Sequence, residues 1–374
     1  MHFHLVVTDQ CNLCCSYCRG RIFDCPEPEH APSGIALDAD LPVDLAIDLA
    51  TLYAFLAQDP DATLTFYGGE PLMRSDLVAE IALNAPVKAF GIHTNGTLLH
   101  TLDPDVIDRL STILVSIDGP EELTDRQRGA GTFARVTDNL RKIMDGGFSG
   151  EIIGRMTVTE ATDIAGAVRF LADNEQFPFA SIHWQMDANF WYDYHQRDFG
   201  RWLKENYNPG ITLLAADWVE TMRTEGRVVR LYPFLDTMQD MLFGRPSRLR
   251  CGCGHSDYSV MTDGSILPCP IMVGMKDYCV GHIASAHPLR LPRVDVGAPC
   301  TGCALRDFCG GRCLYASITK PWPEEGRNQV CSSVAHLHRT MKDALPEVRR
   351  LIRCNAISLQ DFDHEKFNSC EIIP

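Results

Sequence analysis

The sequence predicts an α/β protein with a cysteine-rich second part, and three observations carry that prediction. Short apolar, β-rich runs alternate with helix-periodic runs over the first half, the pattern of βα units around a parallel sheet. Four cysteines fall within eight positions directly after the first such run, in TDQCNLCCSYCRG (8–20). A second cysteine group occupies 251–331, while residues 26–250 contain none.

The strand candidates, in order, are HLVVT (4–8), TLTFY (63–67), AFGIHT (89–94), TILVSI (112–117), IIGRMTVT (152–159) and ASIHWQM (180–186). Helix candidates between them include LPVDLAIDLATLYAFLAQ (41–58) and FARVTDNLRKIM (133–144). Six such units make either an open doubly wound sheet or an incomplete barrel, and in both the ligands gather at the carboxyl ends of the strands. The cysteine stretch follows the first strand. YGGEP (67–71), HTNGT (93–97) and SIDGP (116–120) follow the next three, which points to one shared site. Turn chemistry explains the glycines there but not the cysteines. Residues 191–245, aromatic and charged and then helical, read as a connecting region. From 246 the pattern changes to short elements, turns and cysteines, so the expected division is 1–190, 191–245 and 246–374.

A chain of 374 residues has room for two domains with separate cores. Its 45% hydrophobic and 22% charged content is ordinary for a soluble protein. A net charge of −15 argues against nonspecific nucleic-acid partners and anionic membranes. The start MHFHLVV lacks the basic flank and cleavage site of a signal peptide, and no run reaches the ~18 apolar residues of a membrane span. The expectation is a cytoplasmic protein with no membrane and no nucleic-acid partner. In a reducing compartment the sixteen cysteines read as metal ligands rather than disulfides.

Two registers compete in the first group. Cys11-x2-Cys14 with Cys15-x2-Cys18 would form a four-thiolate zinc site, but its halves abut, whereas a tetrahedral zinc normally draws on separate turns. Cys11-x3-Cys15-x2-Cys18, with Tyr17 before the last cysteine, supplies three thiolates to a [4Fe–4S] cluster and leaves the fourth iron open. Cys14 is then a spare thiol.

CNLCCSYC resembles the C-x3-C-x-aromatic-C motif of radical S-adenosylmethionine (SAM) enzymes. That resemblance implies SAM bound on the open iron and cleaved, after one-electron reduction, to a 5′-deoxyadenosyl radical that takes a hydrogen atom from the substrate. Gly68, Gly69 and Glu70 match the family's GGE motif, which receives the ammonium group of SAM. Thr94 and Asn95, with Gly96, match its TNG turn. SIDGPEELTDRQR (116–128) resembles a segment of peptide-modifying members, in which Ser116 would contact the ribose and Arg128 the methionine carboxylate. Arg155 is a second candidate for that carboxylate, and Gln185 a candidate on the adenine side. The plain alternative for either arginine is a surface ion pair.

In the second group, Cys300-x2-Cys303-x5-Cys309-x3-Cys313 is followed by Cys331 and preceded by Cys253-x10-Gly264-x4-Cys269, or the same pattern begun at Cys251. Two CxxC-like units also suit a four-thiolate zinc site. The whole set resembles the SPASM domain, the extension found in maturases of subtilosin, pyrroloquinoline quinone, anaerobic sulfatases and mycofactocin; VGHI (280–283) resembles a short strand of that domain. The implied architecture is a partial (β/α)6 TIM-like barrel followed by a small SPASM domain with two auxiliary clusters. The implied cofactors are three [4Fe–4S] clusters and SAM. Cys300, Cys303, Cys309 and Cys331 would hold the outer auxiliary cluster. Cys269, Cys313 and one or both of Cys251 and Cys253 would hold the inner one. With only one of that pair bound, an open iron would be left for a substrate thiolate. Cys25, Cys279, Cys354 and Cys370 are left as structural thiols.

The resemblance implies a peptide- or protein-modifying oxidoreductase, a maturase of ribosomal-peptide type making an oxidative change such as a crosslink or thioether. A radical enzyme for a small molecule or free amino acid is the alternative, and a zinc-stabilised binding module is a third class. Pro270 stands where sulfatase-maturing enzymes carry an aspartate base, which counts against formylglycine formation. The cluster motif begins at residue 11 and leaves no room before it for a leader-binding domain. The expected partners are the substrate peptide and a low-potential donor such as ferredoxin or flavodoxin, with the peptide recognised by the barrel, the linker or a separate leader-binding protein. No catalytic acid or base is assigned; Asp187, Tyr192 and His195 read as ordinary polar residues.

Overall fold

The computed structural model describes residues 1–18, 40–177, 179–366, 368 and 370–374; Cys25 lies outside them. Six apolar runs form β1 (His2–Thr8), β2 (Thr63–Gly68), β3 (Ala89–Thr94), β4 (Leu110–Ser116), β5 (Glu151–Val158) and β6 (Ser181–Met186), each within two residues of its expected bounds. Three further strands follow: β7 (Asp257–Val260), β8 (Ser265–Leu267) and β9 (Gly281–His282), the last inside VGHI. The strand order is β6-β5-β4-β3-β2-β1-β7-β8-β9. The pairings of β1 with β2, β2 with β3 and β3 with β4 are parallel. A doubly wound sheet reverses its order at a switch point, whereas β1 to β6 follow chain order throughout. That is the winding of a partial (β/α)6 barrel. β7 runs parallel along the other edge of β1, with His2 opposite Asp257, and β8 and β9 add antiparallel.

The helices are α1 (Leu49–Leu56), α2 (Ser75–Asn84), α3 (Pro104–Ile107), α4 (Glu121–Arg128), α5 (Thr132–Asp145), α6 (Ile164–Ala172), α7 (Phe199–Trp202), α8 (Asn208–Glu225), α9 (Tyr232–Phe243), α10 (Arg306–Cys309), α11 (Leu314–Thr319) and α12 (Glu324–Arg353). The helix expected over 41–58 is shorter. Asp9 N–H donates to Val43 O and Leu45 N–H to Val7 O, both at 2.9 Å, and Ala46 N–H donates to Thr262 O at 2.8 Å. Backbone groups spent on these bonds cannot close helical turns. Asp48 then caps α1 by accepting from the N–H groups of Ala50 and Thr51.

The chain divides into two compact units. The first holds Met1–Ile117, Glu121–Ile153 and Gly252–Asp295; the second holds Asp118–Pro120, Gly154–Cys251 and Val296–Pro374. In the first, Phe3, Leu5, Leu64, Phe66, Phe90 and Ile113 are buried, each contributing about 1.5–3 kcal/mol. In the second, Trp184 meets Phe234 edge-on at 5.4 Å, and Trp218 packs on the same ring at 5.6 Å. Residues 191–245, expected to connect, therefore supply core helices: α9 buries every residue from Tyr232 to Asp240. Arg250 pairs with Asp236 and Asp240 and anchors the residue before Cys251. Burial alone would raise the Asp236 carboxyl, but Arg250, His364 and Lys366 hold it well below the usual carboxylate range. Among the described residues no helix is long and apolar enough to cross a membrane.

Candidate functional site

The first cysteine loop leaves β1 against the backbone that follows β2. Gly69 N–H donates to Thr8 O at 2.9 Å and Glu70 N–H to Gln10 O at 2.7 Å. A Cβ on Gly68, whose φ is +144°, would lie 2.1 Å from Thr8 O, and one on Gly69 would lie 2.3 Å from Gln10 O. These glycines are therefore required by the close approach of the cysteine loop's own backbone.

Glu70 is fully buried and accepts three hydrogen bonds. Thr94 Oγ1 and Leu72 N–H donate to Oε1 at 2.8 and 3.0 Å, and Asn95 N–H donates to Oε2 at 2.6 Å. Burial pushes the carboxyl up to about 7 against those three donors. The same Asn95 continues to the thiols: its Nδ2 donates to Cys11 Sγ at 3.8 Å and to Asn12 Oδ1 at 2.8 Å. Asn12 Nδ2 in turn donates to Thr97 Oγ1 at 2.9 Å, and Leu13 N–H points at Cys11 Sγ at 3.5 Å. The GGE and TNG stretches thus form one scaffold under the loop.

The loop turns back through Cys18 N–H to Cys15 O at 3.0 Å. Cys11, Cys14 and Cys18 are exposed and Cys15 is half-buried. Desolvation pushes the Cys11 thiol up, and the charges of Glu70 and Cys18 add to it; the Leu13 and Asn95 donors oppose it. A loop that offers open thiols with N–H groups aimed at sulfur fits an iron–sulfur cluster. Ser16 N–H donates to Gln127 O at 2.8 Å, so the end of α4 lies on the loop. Arg128 is 5% exposed, with its guanidinium carbon 5.4 Å from the Tyr17 ring centroid. Ser116 ends β4 half-buried.

In the second unit, Arg155 Nη2 donates to Gln185 Oε1 at 3.1 Å, which joins two expected site residues on β5 and β6. Among the described residues the buried Arg155 Nε has no hydrogen-bond partner. Asp187 belongs to an ion network that sequence reading missed: Arg197 reaches Glu160 at 2.7 Å, Asp193 at 3.1 Å and Asp187 at 3.3 Å. Asp193 also accepts from Trp322 Nε1 at 3.1 Å. Tyr192 OH donates to Thr319 O at 3.4 Å, and His195 packs on Tyr194. The acidic residue four before Arg197 was a readable signal for part of this network.

Cys300 opens a short turn, Cys309 ends α10 and Cys331 lies on α12. Burial is the main cause that raises the Cys300, Cys309 and Cys331 thiols, and their mutual charges add to it: Cys331 and Cys303 act on Cys300, Cys300 on Cys309 and Cys303 on Cys331. These four thiols therefore share one neighbourhood. Burial pushes Cys309 up to about 11, opposed by the Gly311 and Arg312 N–H groups and the Arg312 charge. Among the described residues, no three thiols lie within 4.8 Å of one another. A tetrahedral zinc with Zn–S near 2.3 Å would need them closer, while a cubane cluster spreads its thiolates apart. Arg312, which the sequence reading passed over, is 7% exposed with Nε and Nη2 unpartnered. Its charge acts on both Cys309 and Cys331. Its position between Cys309 and Cys313 was the available signal.

The remaining thiols expected as ligands are buried: Cys251 and Cys313 in the second unit, Cys253 and Cys269 in the first. Cys313 Sγ accepts from Ala316 N–H at 3.5 Å, and Cys253 forms a backbone bridge with Asp257. Cys279 and Cys354 are exposed and Cys370 is buried; no described cysteine is in a disulfide.

Residues 5–164 match the family model described as the radical SAM superfamily. A probable GTP 3′,8-cyclase of Methanosarcina mazei is 30% identical over 149 residues, 38% of this chain and 41% of that protein. The chain thus spans about two fifths of the length of that curated relative. An uncharacterized protein of Methanocaldococcus jannaschii is 23% identical over 320 residues, 82% of this chain and 96% of that one. Among solved structures, anSMEcpe with bound AdoMet and a Cp18Cys peptide superposes with a TM-score of 0.65 at 20% identity, covering 95% of this chain and 99% of that one. Streptococcus suis SuiB bound to its precursor peptide SuiA gives a TM-score of 0.51 at 13% identity over 84% and 72%. These likenesses establish the fold.

Proposed function

We propose that this chain, whose residues 5–164 are a radical SAM domain, is an oxidoreductase that modifies a peptide or protein by hydrogen-atom abstraction. The observation that carries the reading is the second set of thiols. Cys300, Cys303, Cys309 and Cys331 share one neighbourhood in a unit that also holds the partly unpartnered Arg312. Clusters on that set would carry an electron away from the substrate radical, as an oxidative change requires, or bind the substrate.

Cys11, Cys15 and Cys18 would hold the [4Fe–4S] cluster that reduces SAM and so supplies the 5′-deoxyadenosyl radical. Asn95 and Leu13 donate to Cys11 and favour its thiolate. Glu70 fixes the turn that carries Asn95. We assign Arg128, held over Tyr17, to the SAM carboxylate, with Arg155 as the second candidate; the backbone of Gly68 and Gly69 with Glu70 to its ammonium; Ser116 to the ribose; and Gln185 to the adenine side. Residues 246–374 form the SPASM region in this reading. Cys300, Cys303, Cys309 and Cys331 hold its outer cluster, and Cys269, Cys313 and Cys251 or Cys253 its inner one. A ferredoxin- or flavodoxin-type donor and a cytoplasmic location complete the proposal. Structures of this fold solved with AdoMet and a peptide support the substrate class.

The matched GTP 3′,8-cyclases favour a second reading, a nucleotide or other small-molecule substrate. Anaerobically reconstituted protein separates the two. Three clusters predict about twelve iron and twelve sulfide per chain. Peptide-dependent formation of 5′-deoxyadenosine supports the first reading, and turnover with GTP but not peptides supports the second. Cys309→Ala is expected to cleave SAM yet form no peptide product. Wild-type product from that variant would refute an electron-carrying role for the second thiol set.

A further inference from the structure

We propose that His2, His4 and Asp257 form a mononuclear divalent-metal site inside the first unit, distinct from the thiol sites. Side chains alternate along a strand, so His2 and His4 leave the same face of β1. The parallel register of β1 and β7 sets Asp257 directly opposite His2. His4 Nδ1 lies 2.9 Å and His2 Nδ1 3.1 Å from the same oxygen, Asp257 Oδ1. One donor atom from each of the three residues lies within 4.8 Å of the other two. His2 is 5% exposed, and His4 and Asp257 are fully buried.

Hydrogen bonding leaves this cluster incomplete. Among the described residues Asp257 Oδ2 has no hydrogen-bond partner, and neither does Ser259 Oγ, the next residue on the same face of β7. Buried polar atoms are almost always paired. Two imidazoles converging on one carboxylate oxygen, with the second oxygen bare, leave unmet demand for positive charge. The far nitrogen of His2 is provided for: Nε2 lies 2.8 Å from Thr65 Oγ1. A hydrogen bond on the distal ring nitrogen is the feature that orients a metal-binding imidazole and fixes its tautomer. The rings of Tyr67 and His93 pack edge-on against His4 at 5.4 and 5.6 Å and limit its rotation.

Two imidazoles and a carboxylate suit zinc or another first-row divalent ion. Around a tetrahedral ion with bonds near 2.0–2.1 Å, ligand atoms stand roughly 3.3 Å apart, a few tenths of an ångström beyond the spacing here. His2 begins β1, and the cysteine loop follows Thr8, roughly 20 Å along the strand. A metal at this end would staple β1 to β7 rather than meet the substrate.

The test uses full-length, cluster-loaded protein offered zinc, desalted, and examined by metal analysis and zinc K-edge X-ray absorption. About one zinc per chain is expected, with nearest neighbours near 2.0–2.1 Å and no sulfur near 2.3 Å. Asp257→Asn and His4→Gln are each expected to lose it while keeping their iron and sulfide, and Cys303→Ser is expected to keep it. Wild-type protein that retains no zinc overturns the proposal and leaves a hydrogen-bonded His–Asp–His cluster. A sulfur shell, or zinc unaffected by Asp257→Asn, overturns it as well. The wild-type measurement decides the matter even if a variant fails to fold.

Discussion

Cys11, Cys15 and Cys18 stand on one short loop, held by amides from Asn95 and Leu13, with the Glu70 carboxylate close by. Cys300, Cys303, Cys309 and Cys331 come from a turn, a short helix and a long helix, and arginines act on them: Arg306 and Arg327 on Cys300, Arg312 on Cys309, and Arg312 and Arg327 on Cys331. In the proposed reading, three thiolates with neutral donors would leave an iron free for a cationic, chelating ligand, while four thiolates would close the coordination and the nearby arginines would offset their extra negative charge. The first arrangement suits chemistry at the metal, the second storage and passage of electrons.

The largest effect should come from removing one thiol on each side. Cys11→Ala is expected to lose 5′-deoxyadenosine formation completely, while Cys331→Ala keeps it. Equal loss in both would erase the distinction. Next comes Glu70, whose carboxylate holds the Thr94–Asn95 turn while its backbone N–H holds the cysteine loop at Gln10. Glu70→Ala should destabilise cluster-free protein by about 2–4 kcal/mol, since three buried donors lose their acceptor. The folded carboxyl is raised from 4.5 to about 7, so its stabilisation is full below 4.5 and is lost as pH rises through about 7. The gap between wild type and Glu70→Ala in urea unfolding should therefore be smaller at pH 8 than at pH 6.

Arg312→Met tests the cationic side of the contrast. Loss of one buried charge beside the thiols, about 1–2 kcal/mol, should lower the outer cluster's midpoint potential by on the order of 50–100 mV in redox titration monitored by electron paramagnetic resonance. The first cluster's potential should not move. The smallest effect is expected from Arg128→Leu. It removes a contact with Tyr17 worth about 0.5–2 kcal/mol, and calorimetry should show weaker SAM binding with the iron content intact.

The strands and thiols were readable because their signals are local. Alternating apolar runs gave β1 to β6 within two residues, and cysteine spacing picked out the groups at 11–18 and 300–331. What escaped depends on partners remote in the chain. Residues 41–48 carry a helical pattern, but Val43, Leu45 and Ala46 bond to residues on two other segments. Asp257 opens a four-residue strand with no pattern that names β1 as its neighbour. Arg312 read as one basic residue among thirty-four until its burial beside Cys309 and Cys331 became visible.

The pairing of β1 with β7 also sets a timetable for biosynthesis. His4 and Asp257 are 253 residues apart, so at about 5–20 residues per second the ribosome needs roughly 10–50 s to supply the second partner after the first. Through that interval β1, all of whose residues are buried in the finished fold, presents an unpaired edge, the kind that recruits other chains. A shortened chain ending at residue 190 would carry that edge permanently. Expressing the barrel half alone should therefore give aggregates, and slow translation or chaperone supply should govern the yield of the full chain.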